Sequence, residues 1–319
     1  FSLNNNLSNL TNLWSTTSNA SLLAFHILMK HVYTLADLRD PAFAAEMPNA
    51  KLAVIGYPIK HSASPQMHQA ALDEAGFDLQ YIRVEVAPDE VDSCFSEMER
   101  LGFIGCNVTV PHKLEAMDLC DELTDDAIAL GATNTILFKQ GKRIGHNSDG
   151  PGLARAVLED FGKSLTELRV LILGAGGGAG RAIATQCARE GAPAIYLSNR
   201  TVEKLDPIAK SLTEDHGAKL VYTLSTDEAD LITAASRVDL IINSTSLGLN
   251  EDDALPLPVA ALLAQHMVYD AVYNPPVTKL LAEANNLGSK TSNGLSMLLH
   301  QGAISFAFCL GKEPSVTAM

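Results

Sequence analysis

The chain has 319 residues, 47% of them hydrophobic and 19% charged, which is ordinary globular composition with enough length for one or two domains. A formal charge of −14 argues against nucleic acid and anionic membrane surfaces as partners, though not against a small anionic substrate met by local basic groups. Five cysteines, an odd number without C-x-x-C spacing, fit reduced thiols in a cytoplasmic protein, and nine histidines without H-E-x-x-H spacing give no reason to expect a metal.

Residues 1–48 differ from the rest. Phe1–Ala20 is rich in Asn, Ser, Thr and Leu, the first acidic residue is Asp37 and the first arginine Arg39. Transit peptides are Arg-rich, and the apolar run Leu22–Met29 is far too short to span a bilayer. The expectation is a disordered or misassigned leader, with Met29 as a candidate start. Phe25–Leu38 is the stretch most able to dock on the following domain.

From Lys51 strands and helices alternate. Leu52–Ile55 reads as a strand, Gly56–Ser64 as a loop, and Pro65–Ala75 as a helix with Ser64 as a plausible N-cap. Gln80–Val86 and Gly102–Val108 read as strands around a helix at Asp89–Arg100. Thr133–Phe138 and Arg143–Gly145 follow as strands joined through Gly141-Lys142. Alternation of this kind implies a parallel-type sheet.

Three loops here carry polar groups. In His61-Ser62-Ala63-Ser64-Pro65, two hydroxyls at a helix start can bind a carboxylate, but capping alone explains Ser64 equally well. In Asn107-Val108-Thr109-Val110-Pro111-His112-Lys113, Lys113 opens a helix. A cation opposes the dipole there, a local conflict more typical of functional sites than of solvated surface. In His146-Asn147-Ser148-Asp149-Gly150, Asp149 is either the N-cap of the helix Asp149–Phe161 or a carboxylate facing a cleft.

The second alternating series holds the most informative stretch, LRVLILGAGGGAG. A buried-strand run, Val170–Leu173, enters Gly174-Ala175-Gly176-Gly177-Gly178-Ala179, and a helical pattern follows. Strand, glycine turn and helix come in the order a dinucleotide site needs. The first glycine makes the tight turn, the second admits the pyrophosphate, and the helix start offers free N–H groups. After the next strand, Ala194–Leu197, the position where NAD sites place an acidic residue holds Asn199 and Arg200, followed by Thr201. A guanidinium suits a 2′-phosphate, so the cofactor reads as NADP. Further strands are expected at Lys219–Tyr222, Leu240–Ile242 and Met267–Tyr269. A last helix, Leu295–Phe308, is expected to return to the first domain.

With these motifs assembled, the stretch from about Lys51 to Leu310 resembles the shikimate dehydrogenase family. The family's G-x-P-I-x-H-S-x-S-P-x-x-H stands at Gly56–His68, with Gln69 in place of a common Asn. N-V-T-x-P-x-K stands at Asn107–Lys113 and G-A-x-N-T at Gly131–Thr135. N-T-D-G appears at Asn147–Gly150 with Ser148 for Thr, N-R-T at Asn199–Thr201, and N-x-T-S-x-G at Asn243–Gly248. Tyr273-Asn274-Pro275 and Gln301 complete the series.

The resemblance implies a two-domain α/β fold with a cleft between the halves. Residues 49–150 and the returning 292–319 would form the substrate-binding and catalytic domain, and 151–291 an NADP-binding Rossmann domain. It implies reversible reduction of 3-dehydroshikimate to shikimate, a small-molecule substrate, NADP and no metal, in a monomer or homodimer. Lys113 and Asp149 would be the catalytic pair. Ser62, Ser64 and Tyr273 would hold the substrate carboxylate, and Thr109, Asn134 and Gln301 its ring hydroxyls. Gly174, Ala175, Gly176, Gly177, Gly178, Ala179, Asn199, Arg200, Thr201, Asn243, Thr245, Ser246 and Gly294 would meet the cofactor.

Overall fold

The computed structural model describes residues 32–319. The asparagine-rich stretch, the apolar run Leu22–Met29 and the candidate start at Met29 lie outside the described residues. In chain order the elements are β1 (Tyr33–Thr34), α1 (Leu35–Arg39), α2 (Phe43–Glu46), β2 (Ala50–Gly56), α3 (Ser64–Ala75), β3 (Gln80–Glu85), α4 (Val91–Arg100), β4 (Gly105–Val108), α5 (Lys113–Asp118), β5 (Glu122–Leu123), α6 (Asp125–Leu130), β6 (Thr135–Lys139) and β7 (Lys142–His146). The second series is α7 (Asp149–Phe161), β8 (Arg169–Leu173), α8 (Gly178–Glu190), β9 (Ala194–Ser198), α9 (Leu205–Glu214), β10 (Val221–Leu224), α10 (Glu228–Ala235), β11 (Leu240–Asn243), β12 (Met267–Asp270), α11 (Lys279–Asn286), β13 (Lys290–Asn293) and α12 (Leu295–Leu310).

The first sheet has the order β1-β3-β2-β4-β6-β7-β5. It is mixed rather than parallel throughout, because β6 runs antiparallel to both β4 and β7. The reversal between β6 and β7 is local: Gln140-Gly141, both at positive φ, make a tight hairpin turn that needs no helical crossover. The second sheet, β10-β9-β8-β11-β12-β13, is parallel at every pairing. Its last strand, Lys290-Thr291-Ser292-Asn293, is too polar to be read as a strand from sequence. It gains that conformation by pairing with β12.

Residues 33–47, expected as part of a leader, are built into the first sheet and its core. Tyr33 and Thr34 pair in parallel with Val84 and Glu85, so β1 extends the first sheet. Thr34 and Asp37 form a reciprocal capping box that starts α1. Leu35, Leu38, Phe43 and Met47 are buried in one cluster with Val84, Val91 and Phe95. Arg100 ties the end of α1 down by donating to the Leu38 carbonyl at 3.1 Å.

Both sheets obey the same positional rule. In each, one central strand has the next strand in sequence on one side and a later one on the other, and loops diverge at its carboxyl end: β2 between β3 and β4, β8 between β9 and β11. The serine loop follows β2 and the glycine turn follows β8. Two long helices join the halves. On one face Gly152 of α7 lies so close to α12 that an added Cβ would sit 2.9 Å from the Gln301 backbone nitrogen. Phe306 of α12 packs with Leu52, Val54 and Leu72 in the first core, while Met297 packs against the second.

Candidate active site

Lys113 is the first residue of α5 and Asp149 the first residue of α7. Their side chains meet, with Lys113 Nζ 2.6 Å from Asp149 Oδ2, at 30% and 18% exposure. The expected dipole conflict at Lys113 is thus answered by a carboxylate brought from another helix. The backbone around the pair is fixed. His112 is 1% exposed and its Nε2 lies 2.8 Å from the Val86 carbonyl, which anchors the turn before Lys113. Asn147 Nδ2 donates to the Ala132 carbonyl and its Oδ1 accepts from the Asp149 amide, both at 2.9 Å. Asp149 is therefore no N-cap. That position belongs to Ser148, which makes no side-chain cap bond.

The pair stands where two cavities meet. One, of about 380 Å³, is lined by Ser62, Ser64, Thr109, Asn134, Tyr273 and Gln301, together with Lys113 and Asp149. All six side chains assigned to the substrate come to one place from five separate segments. Ser64 is the first residue of α3 rather than its cap, since Ala63 holds the cap position without a side-chain bond. The Ser64 amide donates to Ser62 Oγ at 3.3 Å. Asn134 is 3% exposed. Its Oδ1 accepts from the Ser148 amide and its Nδ2 donates to Ser148 Oγ, both at 2.9 Å, which sets the amide orientation and leaves a second Nδ2 hydrogen.

The other cavity, of about 560 Å³, is lined by Gly176, Gly177, Gly178 and Ala179 and again by Lys113 and Asp149. Gly174 takes a φ of +80° for the turn out of β8, a region L side chains avoid. A Cβ on Gly178 would meet open space, so the first turn of α8 faces the cavity with bare backbone. A dinucleotide phosphate fits such a cradle.

Other residues assigned to the cofactor lie apart from the residues lining that cavity. Ala175 is buried beneath the turn. Asn199 stacks on Gly176, where a Cβ would meet it at 2.7 Å, and its Nδ2 donates to the Thr201 carbonyl at 2.8 Å. Arg200, Thr201 and Ser246 are exposed. Three of the expected cofactor contacts stand differently in the structure. Asn243 is wholly buried, and its side-chain amide is engaged by Asp270, Leu247 and Thr245. The Thr245 hydroxyl is likewise held between Asn243 and the Leu247 amide. Gly294 lines the substrate cavity instead, where a Cβ would collide with the Ala271 carbonyl at 2.2 Å.

Some contributors escape the sequence reading. Met297 lines both cavities beside the Lys113–Asp149 pair. Arg181, in the first turns of α8, lines the glycine cavity, and its place just after the fingerprint was the available signal. Arg83 grips the Ser62 carbonyl through Nε at 3.1 Å and Nη2 at 2.7 Å, which shapes the serine loop from β3. Among the described residues no group of three or more His, Cys, Asp or Glu could hold a metal ion, and no helix is long and apolar enough to cross a membrane.

A glycine-turn cradle on one open sheet, a polar cavity on another, and one ion pair between them define a two-domain α/β dehydrogenase of the dinucleotide-dependent class. Comparison with known proteins narrows this. Residues 54–136 match the family described as the shikimate dehydrogenase substrate binding domain, and residues 153–249 that of shikimate/quinate 5-dehydrogenase. The chain belongs to the shikimate dehydrogenase family. The shikimate dehydrogenase (NADP(+)) of Methanopyrus kandleri is 39% identical over 271 residues, 84% of this chain and 92% of that one. The crystal structure of shikimate 5-dehydrogenase from Thermus thermophilus, in complex with NADP(H) and shikimate, has a TM-score of 0.73 at 34% identity, covering 84% of this chain and 96% of the other. Quinate dehydrogenase from Corynebacterium glutamicum, in complex with NAD, has a TM-score of 0.78 at 27% identity over 84% and 96%.

Proposed function

We infer that this chain is an NADP-dependent shikimate dehydrogenase, interconverting 3-dehydroshikimate and shikimate on the route to chorismate and the aromatic amino acids. The observation that carries the reading is the Lys113–Asp149 pair, 2.6 Å apart, shared by the walls of the polar cavity and the glycine-lined one. The names of the relatives at nearly 40% identity point the same way. The first sheet with the returning α12 is the substrate-binding half and the second sheet the NADP-binding half.

NADPH, when bound along the glycine turn, supplies the hydride. The protein's task is at the oxygen. The Lys113 ammonium hydrogen-bonds the ketone oxygen, draws negative charge onto it and gives it a proton as the carbon is reduced. In the oxidative direction the same nitrogen, neutral, takes the hydroxyl proton. Asp149 holds Nζ at the meeting point of the cavities and balances its charge. Ser62, Ser64 and Tyr273 present hydroxyls to the substrate carboxylate, while Thr109, Asn134 and Gln301 bind ring hydroxyls. Arg200, in the exposed loop after β9, pairs with the 2′-phosphate.

Absorbance at 340 nm tests this with shikimate and quinate, each with NADP⁺ and NAD⁺. The fastest turnover is expected with shikimate and NADP⁺. No turnover with that combination overturns the reading, and faster turnover of quinate with NAD⁺ moves the chain to the quinate-using branch.

A further inference from the structure

Asp270, the last residue of β12, is fully buried, and its carboxylate is shared by three segments. Oδ1 accepts from Asn243 Nδ2 at 2.9 Å and from the Val272 amide at 3.0 Å, and Oδ2 accepts from Thr278 Oγ1 at 2.6 Å. Burial pushes this carboxyl up, against the hydrogen bonds that favour its ionised form. All three partners present a hydrogen, so the position calls for a group that only accepts. An amide in its place would turn an NH₂ toward one of them.

The network leads in two directions. On one side, Val272 and Thr278 bracket the segment that carries Tyr273, a wall of the substrate cavity. Thr278 also caps α11 by accepting from the Leu281 amide at 3.4 Å, so both ends of this segment hang on one carboxylate. On the other side, Asn243 and Asp270 face each other across β11 and β12. Asn243 Oδ1 accepts from the Thr245 amide at 3.1 Å and from its hydroxyl at 2.7 Å. The Thr245 methyl in turn lies against Gly174, where a Cβ would come within 2.7 Å of it. A continuous chain of contacts thus runs from Tyr273 to the first glycine of the cofactor turn.

We propose that Asp270 is a positioning residue that sets Tyr273 against the substrate and, through Asn243 and Thr245, sets the glycine turn against the cofactor. The proposal rests on the functional reading above. It acts on binding and leaves the proton transfer to Lys113, so it predicts a split between KM and kcat that a purely structural carboxylate would not produce.

The test is a double-mutant cycle of Asp270→Asn and Tyr273→Phe, with shikimate KM and kcat from absorbance at 340 nm and NADPH Kd from cofactor fluorescence. Asp270→Asn should raise the shikimate KM about tenfold and the NADPH Kd several-fold, with kcat within about threefold of the starting protein, as expected when a buried donor loses its acceptor. Tyr273→Phe should raise KM alone, and much less so in the Asp270→Asn background than in the unmodified one. If Asp270→Asn does not fold, Thr278→Val, which removes one donor to the same carboxylate, should give the same pattern in smaller measure. Unchanged KM and Kd beside a lowered Tm, or effects that multiply fully with Tyr273→Phe, would overturn the proposal. An unmodified protein that binds NADPH but never turns over shikimate strikes the functional reading instead, and the Kd arm still decides the role of Asp270.

Discussion

A chain beginning at Pro48 should be markedly less stable than one beginning at Val32. Removing β1, α1 and α2 takes away Tyr33, Leu35, Leu38, Phe43 and Met47, all 8% exposed or less. Their own burial, about 1.5–3 kcal/mol each, is largely offset by the entropy of ordering some fifteen residues at about 1–2 kcal/mol each. The decisive loss lies in what they cover. Val84, Val91 and Phe95, each 0% exposed, belong to elements that stay folded, so uncovering them returns no entropy. Exposure equivalent to two such side chains costs on the order of 3–6 kcal/mol. At about 1.5–2 °C per kcal/mol for a protein of this size, the shorter chain should melt roughly 5–10 °C below the longer one. Thermal unfolding followed by circular dichroism measures the difference. Equal melting temperatures with equal activity would show residues 33–47 to be dispensable.

Two further outcomes follow from single side chains. Arg200→Ala should weaken NADP⁺ by about one to two decades, the worth of one charge-assisted contact, and leave NAD⁺ almost unaffected; equal loss for both cofactors in fluorescence titrations would show that Arg200 does not read the 2′-phosphate. His68 is buried against Tyr81 at 4.4 Å, and burial pulls its pKa down to about 3. The unfolded chain takes up that proton from about pH 6.5 downward and the folded one does not, so stability falls with pH over this window by up to about 1.4 kcal/mol per unit. His68→Phe should therefore move the acid-unfolding midpoint to lower pH. It sacrifices no bond at Nε2, which has no partner among the described residues. An unmoved midpoint in a circular-dichroism pH titration counts against the assignment.

Much of the site was legible because its chemistry is written locally. A buried strand, three glycines and a helix in immediate succession announce a dinucleotide turn, and Lys113 and Asp149 each stand at a helix start where an alternative use had to be weighed. Whether Asp149 capped its helix or faced a partner was decided only by Lys113, 36 residues away in sequence. Ser64 is the same case, since one residue of helix register separates a cap from a cavity-lining hydroxyl. Asn243 is a different case. Its motif suggested a ligand contact, and only tertiary structure shows every polar atom spent on holding the loop. Two short strands were illegible for a different reason: β1 and β13 have no amphipathic pattern of their own and exist because a neighbouring strand offers hydrogen bonds.

The proposed chemistry rests on Lys113, held by Asp149, moving the proton at the substrate oxygen. Its most direct test is kcat for shikimate with NADP⁺ in Lys113→Ala protein whose Tm and NADPH affinity match those of the unmodified chain. The expected fall is about 10²–10⁴-fold, the usual worth of general acid–base catalysis. Turnover close to that of the unmodified protein would contradict it.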